Sequence, residues 1–102
     1  MGLFSFFSNA SLLSALKKGA VIVDVRTAAE YDRGRVPGSL HIPADRIKIN
    51  AERLRAMNRP VVCCCSSGHR SRQAVNLLKQ AGLKEVYNGG SWEKVLRLLN
   101  RL

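Results

Sequence analysis

The chain has 102 residues, of which 46% are hydrophobic, and carries 17 Lys and Arg against 7 Asp and Glu, a formal charge of +10. That is room for one domain of ordinary size but not two, with a composition able to bury a core and unlike that of a disordered chain. No apolar run approaches the roughly 20 residues of a membrane-spanning helix, and the opening MGLFSFFSNA has neither a basic leader nor a small-residue cleavage site. The expectation is therefore a cytoplasmic protein with no membrane partner. Gly2 does not open an acylation motif, because Phe6 stands where Ser or Thr is required.

Residues 1–8 are expected to form a flexible flanking segment. Its Leu3, Phe4, Phe6 and Phe7 are better suited to packing on the domain than to anchoring it in a membrane. Asn9 or Ser11 is a candidate cap for a first helix, in which Leu12, Leu13 and Leu16 share a face and Gly19 is the stop. Ala20 to Val25 (AVIVDV) is a continuous β-branched run, suited to a strand buried on both faces of a parallel sheet. Thr27 with Glu30 three residues on is a capping box opening a short helix that Gly34 ends. Pro37 and Gly38 make a turn, Ser39 to Ile42 a second strand, and the basic stretch Ala44 to Met57 is partly helical.

Pro60 precedes the strand VVCCC, and a helix is predicted from about His69 to Ala81 with Ala74, Val75, Leu77, Leu78 and Ala81 on one face. Gly82 caps it. Glu85 to Tyr87 is a further strand, and Asn88, Gly89 and Gly90 lead into a last helix carrying Trp92, Val95, Leu96, Leu99 and Leu102 at helical spacing. Trp92, as a helix-face aromatic, is expected in the core rather than at a site mouth. Alternating helices and strands imply an α/β domain with a mostly parallel sheet covered on both faces, whose ligands bind beyond the carboxyl ends of the strands.

That rule directs attention to Cys65–Ser71, CSSGHRS, between a strand and a helix. Ser66, Ser67 and Gly68 have little side chain to block their amides, so the turn can curl its N–H groups inward as an anion-binding nest, aided by the positive end of the following helix. A cysteine opening such a loop should be a thiolate near neutral pH, favoured by the amides and by Arg70, which makes Cys65 the nucleophile candidate. The same residues also suit an ordinary tight turn.

The three cysteines are consecutive, Cys63, Cys64 and Cys65, which rules out a disulfide framework and suggests a reducing compartment. Adjacent strand residues face opposite ways and no other paired ligand spacing exists, so neither a metal nor a cofactor is expected. Cys63 and Cys64 read as small buried hydrophobes, and strand geometry argues against their resolving an oxidised Cys65. His41 reads as structural and His69 as solvent-facing, with no Ser-His-Asp set. Asp24 and Arg26, on the same rim as Cys65, either brace the loop or form a structural ion pair, the pair being preferred.

Three separated segments carry a family resemblance: VIVDVRTAAEYDRGRVPGSLHIP, VVCCCSSGHRS and NGGSW at Asn88 to Trp92. In order and over nearly the whole chain they resemble a single-domain rhodanese, a thiosulfate sulfurtransferase. The resemblance implies a rhodanese-like α/β fold with a central five-stranded parallel sheet and helices on both faces. It also implies that Cys65 accepts sulfane sulfur as a persulfide and passes it to a thiol or cyanide. Ser66, Ser67, Gly68, His69 and Ser71 would contribute mainly backbone amides, and Arg70 would contact the dianionic donor. Arg35 departs from the family, which often has His after Gly34, but lies outside the loop.

Donors compatible with the sequence are thiosulfate, a persulfidated cysteine desulfurase and glutathione persulfide; acceptors include glutathione, thioredoxin or another sulfur-relay protein. Two other classes compete. Cysteine phosphatases of related fold place one more residue between Cys and Arg; counted from Cys65 to Arg70 there are four intervening residues, the sulfurtransferase spacing, and from Cys64 five, the phosphatase spacing. The apolar strand accommodates Val61 to Cys64, which favours Cys65, and no general-acid Asp is evident nearby. Rhodanese-like modules also serve as sulfur carriers or interaction domains, though those commonly lack the loop cysteine. Between Arg33 and Arg72 nine Lys and Arg face two acids, an excess suited to attracting a small anion or to a merely solvated face. Without Phe, Tyr or Trp in that segment, nucleic acid is not the expected partner.

Overall fold

The structure, a computed structural model, describes the backbone of residues 2–102 and the side chains of residues 9–102. Four parallel strands, β1 (Val21–Asp24), β2 (Leu40–His41), β3 (Val61–Cys65) and β4 (Val86–Ser91), form one sheet in the order β2-β1-β3-β4. Five α-helices accompany them: α1 (Gly2–Lys17), α2 (Ala28–Arg33), α3 (Ala51–Ala56), α4 (His69–Gln80) and α5 (Trp92–Leu99). The basic stretch before α3 makes two 3-10 turns, Ala44–Arg46 and Lys48–Asn50. Among the described residues no helix is long and apolar enough to cross a membrane.

The four strands expected from residue patterning are all present; the fifth that the resemblance implies is not. Among the described residues only four stretches are strand, and the element before β1, Gly2–Lys17, is helical. That first helix starts at Gly2 rather than at Asn9 or Ser11, because nothing from Leu3 to Lys17 is a Pro or Gly that would break it. Its C-terminal half is fastened to the sheet by buried Leu12, Ala15 and Leu16. Packing of Leu3, Phe4, Phe6 and Phe7 lies outside the described side chains.

Both faces of the sheet are buried. On one, Val21, Val23, Val61, Cys63 and Val86 meet Leu54 of α3 and Ala74, Val75 and Leu78 of α4. On the other, Val62 and Cys64 meet Leu12 and Leu16 of α1 and Val95 and Leu98 of α5. The alternation along β3 follows from the two-residue period of a strand, and all five of its residues are buried. The order places β1 and β3 centrally, so that the carboxyl ends carrying Asp24 and Cys65 share one rim.

β4 is longer than its apolar residues indicate, taking in Asn88, Gly89 and Gly90 as strand rather than turn. Cys63 pairs with Asn88 but Cys64 with Gly90, which leaves Gly89 as the extra residue of a bulge. A Cβ at Gly89 would lie 2.6 Å from Val95 Cγ2 and 2.8 Å from Val62 Cγ1, so any side chain there collides with the core. The bulge also brings Gly90, at φ 78°, beneath the loop after β3: a Cβ at Gly68 would be 3.3 Å from Gly90 Cα.

Candidate active site

β3 ends at Cys65, and α4 begins at His69, three residues after the loop opens. Gly68 makes the turn possible at φ 93°, a left-handed conformation that side-chain-bearing residues resist. The reversal aims its N–H back at the strand end, where it donates to Cys65 Sγ at 3.0 Å. Ser71 Oγ, one turn into α4, lies 3.4 Å from the same sulfur. Burial pushes the Cys65 thiol up, but the N–H groups directed at it from Ser71, Ser67 and Gly68 outweigh that and hold the group below its ordinary value. Of the loop amides, those of Ser67, Gly68 and Ser71 face the sulfur, while the Ser71 hydroxyl lies beside it and donates to Asn88 Oδ1.

The neighbouring thiols have the opposite character. Cys63 finds no compensating donors, and desolvation pushes it up to about 12. Cys64 points to the other side of the sheet, among Leu12, Leu16, Val36 and Val95, and is raised further by burial and by the Asp24 carboxylate. Both are small buried hydrophobes. Counting a phosphatase loop from Cys64 thus starts from a sulfur on the wrong face of the strand. These shifts carry a stability consequence. Unfolded thiols ionise near pH 9, whereas folded Cys63 stays protonated to about 12, so the native state binds more protons across that window. Stability is expected to fall as pH rises from 9, by about 1.4 kcal/mol per pH unit per buried thiol. Urea unfolding between pH 8 and 10 measures this slope, and a Cys63→Ala, Cys64→Ala variant should flatten it.

Arg70 does not turn into the loop. Its guanidinium donates to both Glu30 carboxylate oxygens, at 2.8 and 3.1 Å, and to Ser66 Oγ at 3.3 Å, while Ser66 Oγ donates to Glu30 Oε2 at 3.1 Å. The Arg70 pair holds the Glu30 carboxyl well below the usual range, helped by the Thr27 amide. Glu30 also closes the expected capping box, accepting from Thr27 N–H at 2.9 Å. Sequence reasoning found the box but missed the second role, since nothing local marks a partner 40 residues away. Ser66, Ser67 and His69 are exposed, as expected for a solvent-facing histidine.

Asn88, which the sequence places only in the connection to the last helix, is a further residue of the site. Its Oδ1 accepts from the Ser71 hydroxyl at 2.6 Å and from Gly90 N–H at 2.9 Å, and its Nδ2 donates to Gly68 carbonyl oxygen at 3.1 Å. It ties β4, the loop and α4 together. The one sequence signal was a polar amide between a strand and two glycines.

Asp24 and Arg26 form the structural ion pair that was preferred, at 0% and 4% exposure. Arg26 Nε donates to both Asp24 oxygens at 2.9 and 3.0 Å, and Nη2 donates to Asp24 Oδ2 at 2.7 Å and Gly34 carbonyl oxygen at 2.6 Å. Nη1 reaches the Glu30 carbonyl at 3.2 Å, so the pair supports the loop only through α2. The guanidinium lies over the Trp92 ring, 5.1 Å from its centroid, and the half-buried Trp92 packs with the α5 side of the core. His41 is structural, its Nε2 2.7 Å from the Arg26 carbonyl oxygen and its ring stacked on Tyr31. Among the described residues no cluster of His, Cys, Asp or Glu is placed to hold a metal ion.

A parallel α/β sheet that ends one central strand in a cysteine, with loop amides turned toward its sulfur before a helix, defines a class of proteins with a cysteine at a strand-loop-helix turn. Comparison with known proteins narrows it. The profile of the rhodanese-like domain matches residues 8–97, and the chain belongs to that family. A sulfurtransferase of Allochromatium vinosum is 40% identical over 68 residues, covering 67% of this chain and 63% of that protein. The thiosulfate sulfurtransferase GlpE of Pseudomonas fluorescens is 34% identical over 74 residues, 71% of this chain and 65% of that protein. The chain thus spans less than two thirds of the length of these relatives. A solved structure described as rhodanese with anions from E. coli superposes with a TM-score of 0.68 at 28% identity, covering 74% of this chain and 91% of that one.

Proposed function

We propose that this chain is a sulfurtransferase that carries sulfane sulfur on Cys65. The observation that carries the reading is a single sulfur at the loop centre, with Gly68 N–H at 3.0 Å and Ser71 Oγ at 3.4 Å, while Cys63 and Cys64 sit in the core with raised proton affinity. The Cys65 thiolate attacks the outer sulfur of thiosulfate or of a persulfide donor. A new S–S bond forms, the donor's S–S bond breaks, and sulfite or the donor thiolate leaves with the electron pair. The outer sulfur is then attacked by an acceptor thiolate, or by cyanide, and Cys65 departs as the thiolate it began as. No base is needed for either step when the nucleophile is already ionised. The inward amides stabilise anionic sulfur in both states.

Cys65 has no exposed surface in this arrangement, and the residues that cover it toward solvent, Ser66 and Ser67, are small and exposed. Three free thiols suit a reducing compartment, which for this proposal is the cytoplasm. The decisive experiment is intact mass after incubation with thiosulfate, for the wild type and for Cys65→Ser and Cys64→Ser variants. The expected result is a gain of one sulfur, reversed by a thiol and lost only in Cys65→Ser. Loss only in Cys64→Ser would move the nucleophile and revive the phosphatase spacing.

A further inference from the structure

The two sides of the loop differ in charge. On the α2 side, Arg70 is neutralised by Glu30. On the other, a cavity of about 460 Å³ opens between the loop, the first turn of α4, the β4 bulge and the first turn of α5, and no acidic residue lines it. Gly68 and Gly90 line it where the loop and the bulge pack together, a Cβ on Gly68 falling 3.3 Å from Gly90 Cα. Its cations are Arg72 and Lys94, with His69 beside them. Among the described residues neither Arg72 nor Lys94 has a carboxylate partner, and the eight residues whose side chains are not described include no Asp or Glu.

Both cations line the cavity, each beside a neighbour of the loop or bulge. Arg72 Nη2 lies 3.4 Å from His69 Nδ1, and since arginine only donates, the imidazole accepts there. The Lys94 stem lies over Gly90, its Cδ 3.6 Å and its Nζ 4.0 Å from where a Cβ on Gly90 would be. The space exceeds what a sulfur atom and three oxygens require and falls within the range of small-molecule sites. It adjoins Gly68, whose amide touches the reacting sulfur.

Resting on the sulfur-transfer reading, we propose that Arg72 and Lys94 make acceptor choice charge-selective, the cavity holding the carboxylate of a small anionic thiol while its sulfur meets the Cys65 persulfide. A carboxylate placed between two unpaired cations gains charge-assisted hydrogen bonds that a neutral thiol of the same size lacks. The chemistry is the second transfer already described; the carboxylate takes no part in bond making.

The test compares mercaptopropionate, mercaptoethanol and cysteamine as acceptors from the persulfidated protein, with rates expressed per thiolate. In parallel, Cys65 is alkylated with iodoacetate and with iodoacetamide, which needs no sulfur transfer. Wild type should prefer mercaptopropionate over mercaptoethanol by about tenfold and disfavour cysteamine. In Arg72→Gln, Lys94→Gln that preference should fall to near one, and the iodoacetate to iodoacetamide ratio should drop about fivefold. Equal rates for anionic and neutral acceptors in wild type, or a preference that survives the double substitution, would overturn the inference while leaving sulfur transfer standing. If thiosulfate leaves no adduct, thiosulfate is not the donor, the persulfide is loaded from a low-molecular-weight persulfide instead, and the alkylation ratio decides: a drop in the double variant supports an anion-selective mouth, and no drop overturns it.

Discussion

Asp24→Ala is expected to lower the free energy of unfolding by about 3 to 5 kcal/mol, enough to leave a domain of this size marginal at room temperature. Removing the carboxylate strands the Arg26 guanidinium at 4% exposure, with only the Glu30 and Gly34 carbonyls and the Trp92 ring for company. A carbonyl pair satisfies hydrogens but not a full charge, and the cost is that of an unpaired buried ion. The pair itself is not intrinsically stabilising to that extent, because desolvating two charges offsets most of their attraction. Asp24→Ala with Arg26→Met should therefore recover more than half of the loss. Urea denaturation of the two variants decides the matter; equal loss in both would mean that the contacts of Arg26 with α2, rather than the unpaired charge, dominate.

Arg70→Ala should reduce kcat/KM for thiosulfate by about two orders of magnitude, or close to 3 kcal/mol of transition-state stabilisation. Two effects act in the same direction. The loop loses its one cation, and Glu30, at present paired with both guanidinium nitrogens, becomes a free carboxylate beside the path of a dianion. Their separation is straightforward, since Glu30→Gln added to Arg70→Ala removes only the second. That double variant should regain about tenfold over Arg70→Ala, the share expected of like-charge repulsion in a half-buried site. No recovery would mean that Arg70 acts by contacting the donor directly, after releasing Glu30. Steady-state kinetics at low and high salt provide the check, because the repulsive share is screened.

Much of the fold follows from local patterning. AVIVDV and VVCCC are too uniformly apolar and β-branched to be anything but buried strands, and the spacing of Ala74, Val75 and Leu78 makes α4 helical with one buried face. The capping box at Thr27 and Glu30 is a four-residue signal, and it formed as read. The loop was legible for the same reason: small residues between a strand and a helix permit few conformations, and Gly68 takes the left-handed one that points its amide at Cys65.

The rest needed contacts between distant parts of the chain. Nothing within β4 marks Gly89 as a bulge; its position is set by the Val62 and Val95 methyls that would strike any side chain there. The starting point of α1 was misplaced because Asn9 and Ser11 are good caps in isolation, yet a cap forms only where the helix actually begins. The strand count taken from resemblance differs from the structure, where the described residues form four strands and Gly2–Lys17, ahead of β1, is helical.

What the sequence by itself determined was the set of parts: four strands, a sheet with both faces covered, and a cysteine opening a loop of small residues. Both spacings can be counted in the sequence, and the apolar run Val61 to Cys64 favours Cys65 as the cysteine that meets the loop without fixing its side-chain direction. Tertiary structure decided it, because side chains alternate along β3 and the strand end fixes the parity, sending Cys64 into the α1 and α5 layer and Cys65 to the amides. It likewise decided that Arg70 belongs to Glu30 and Ser71 to Asn88, pairings of 40 and 17 residues' separation. Hydrogen bonds of that span depend on which elements the sheet order brings side by side, and only the folded chain contains that information.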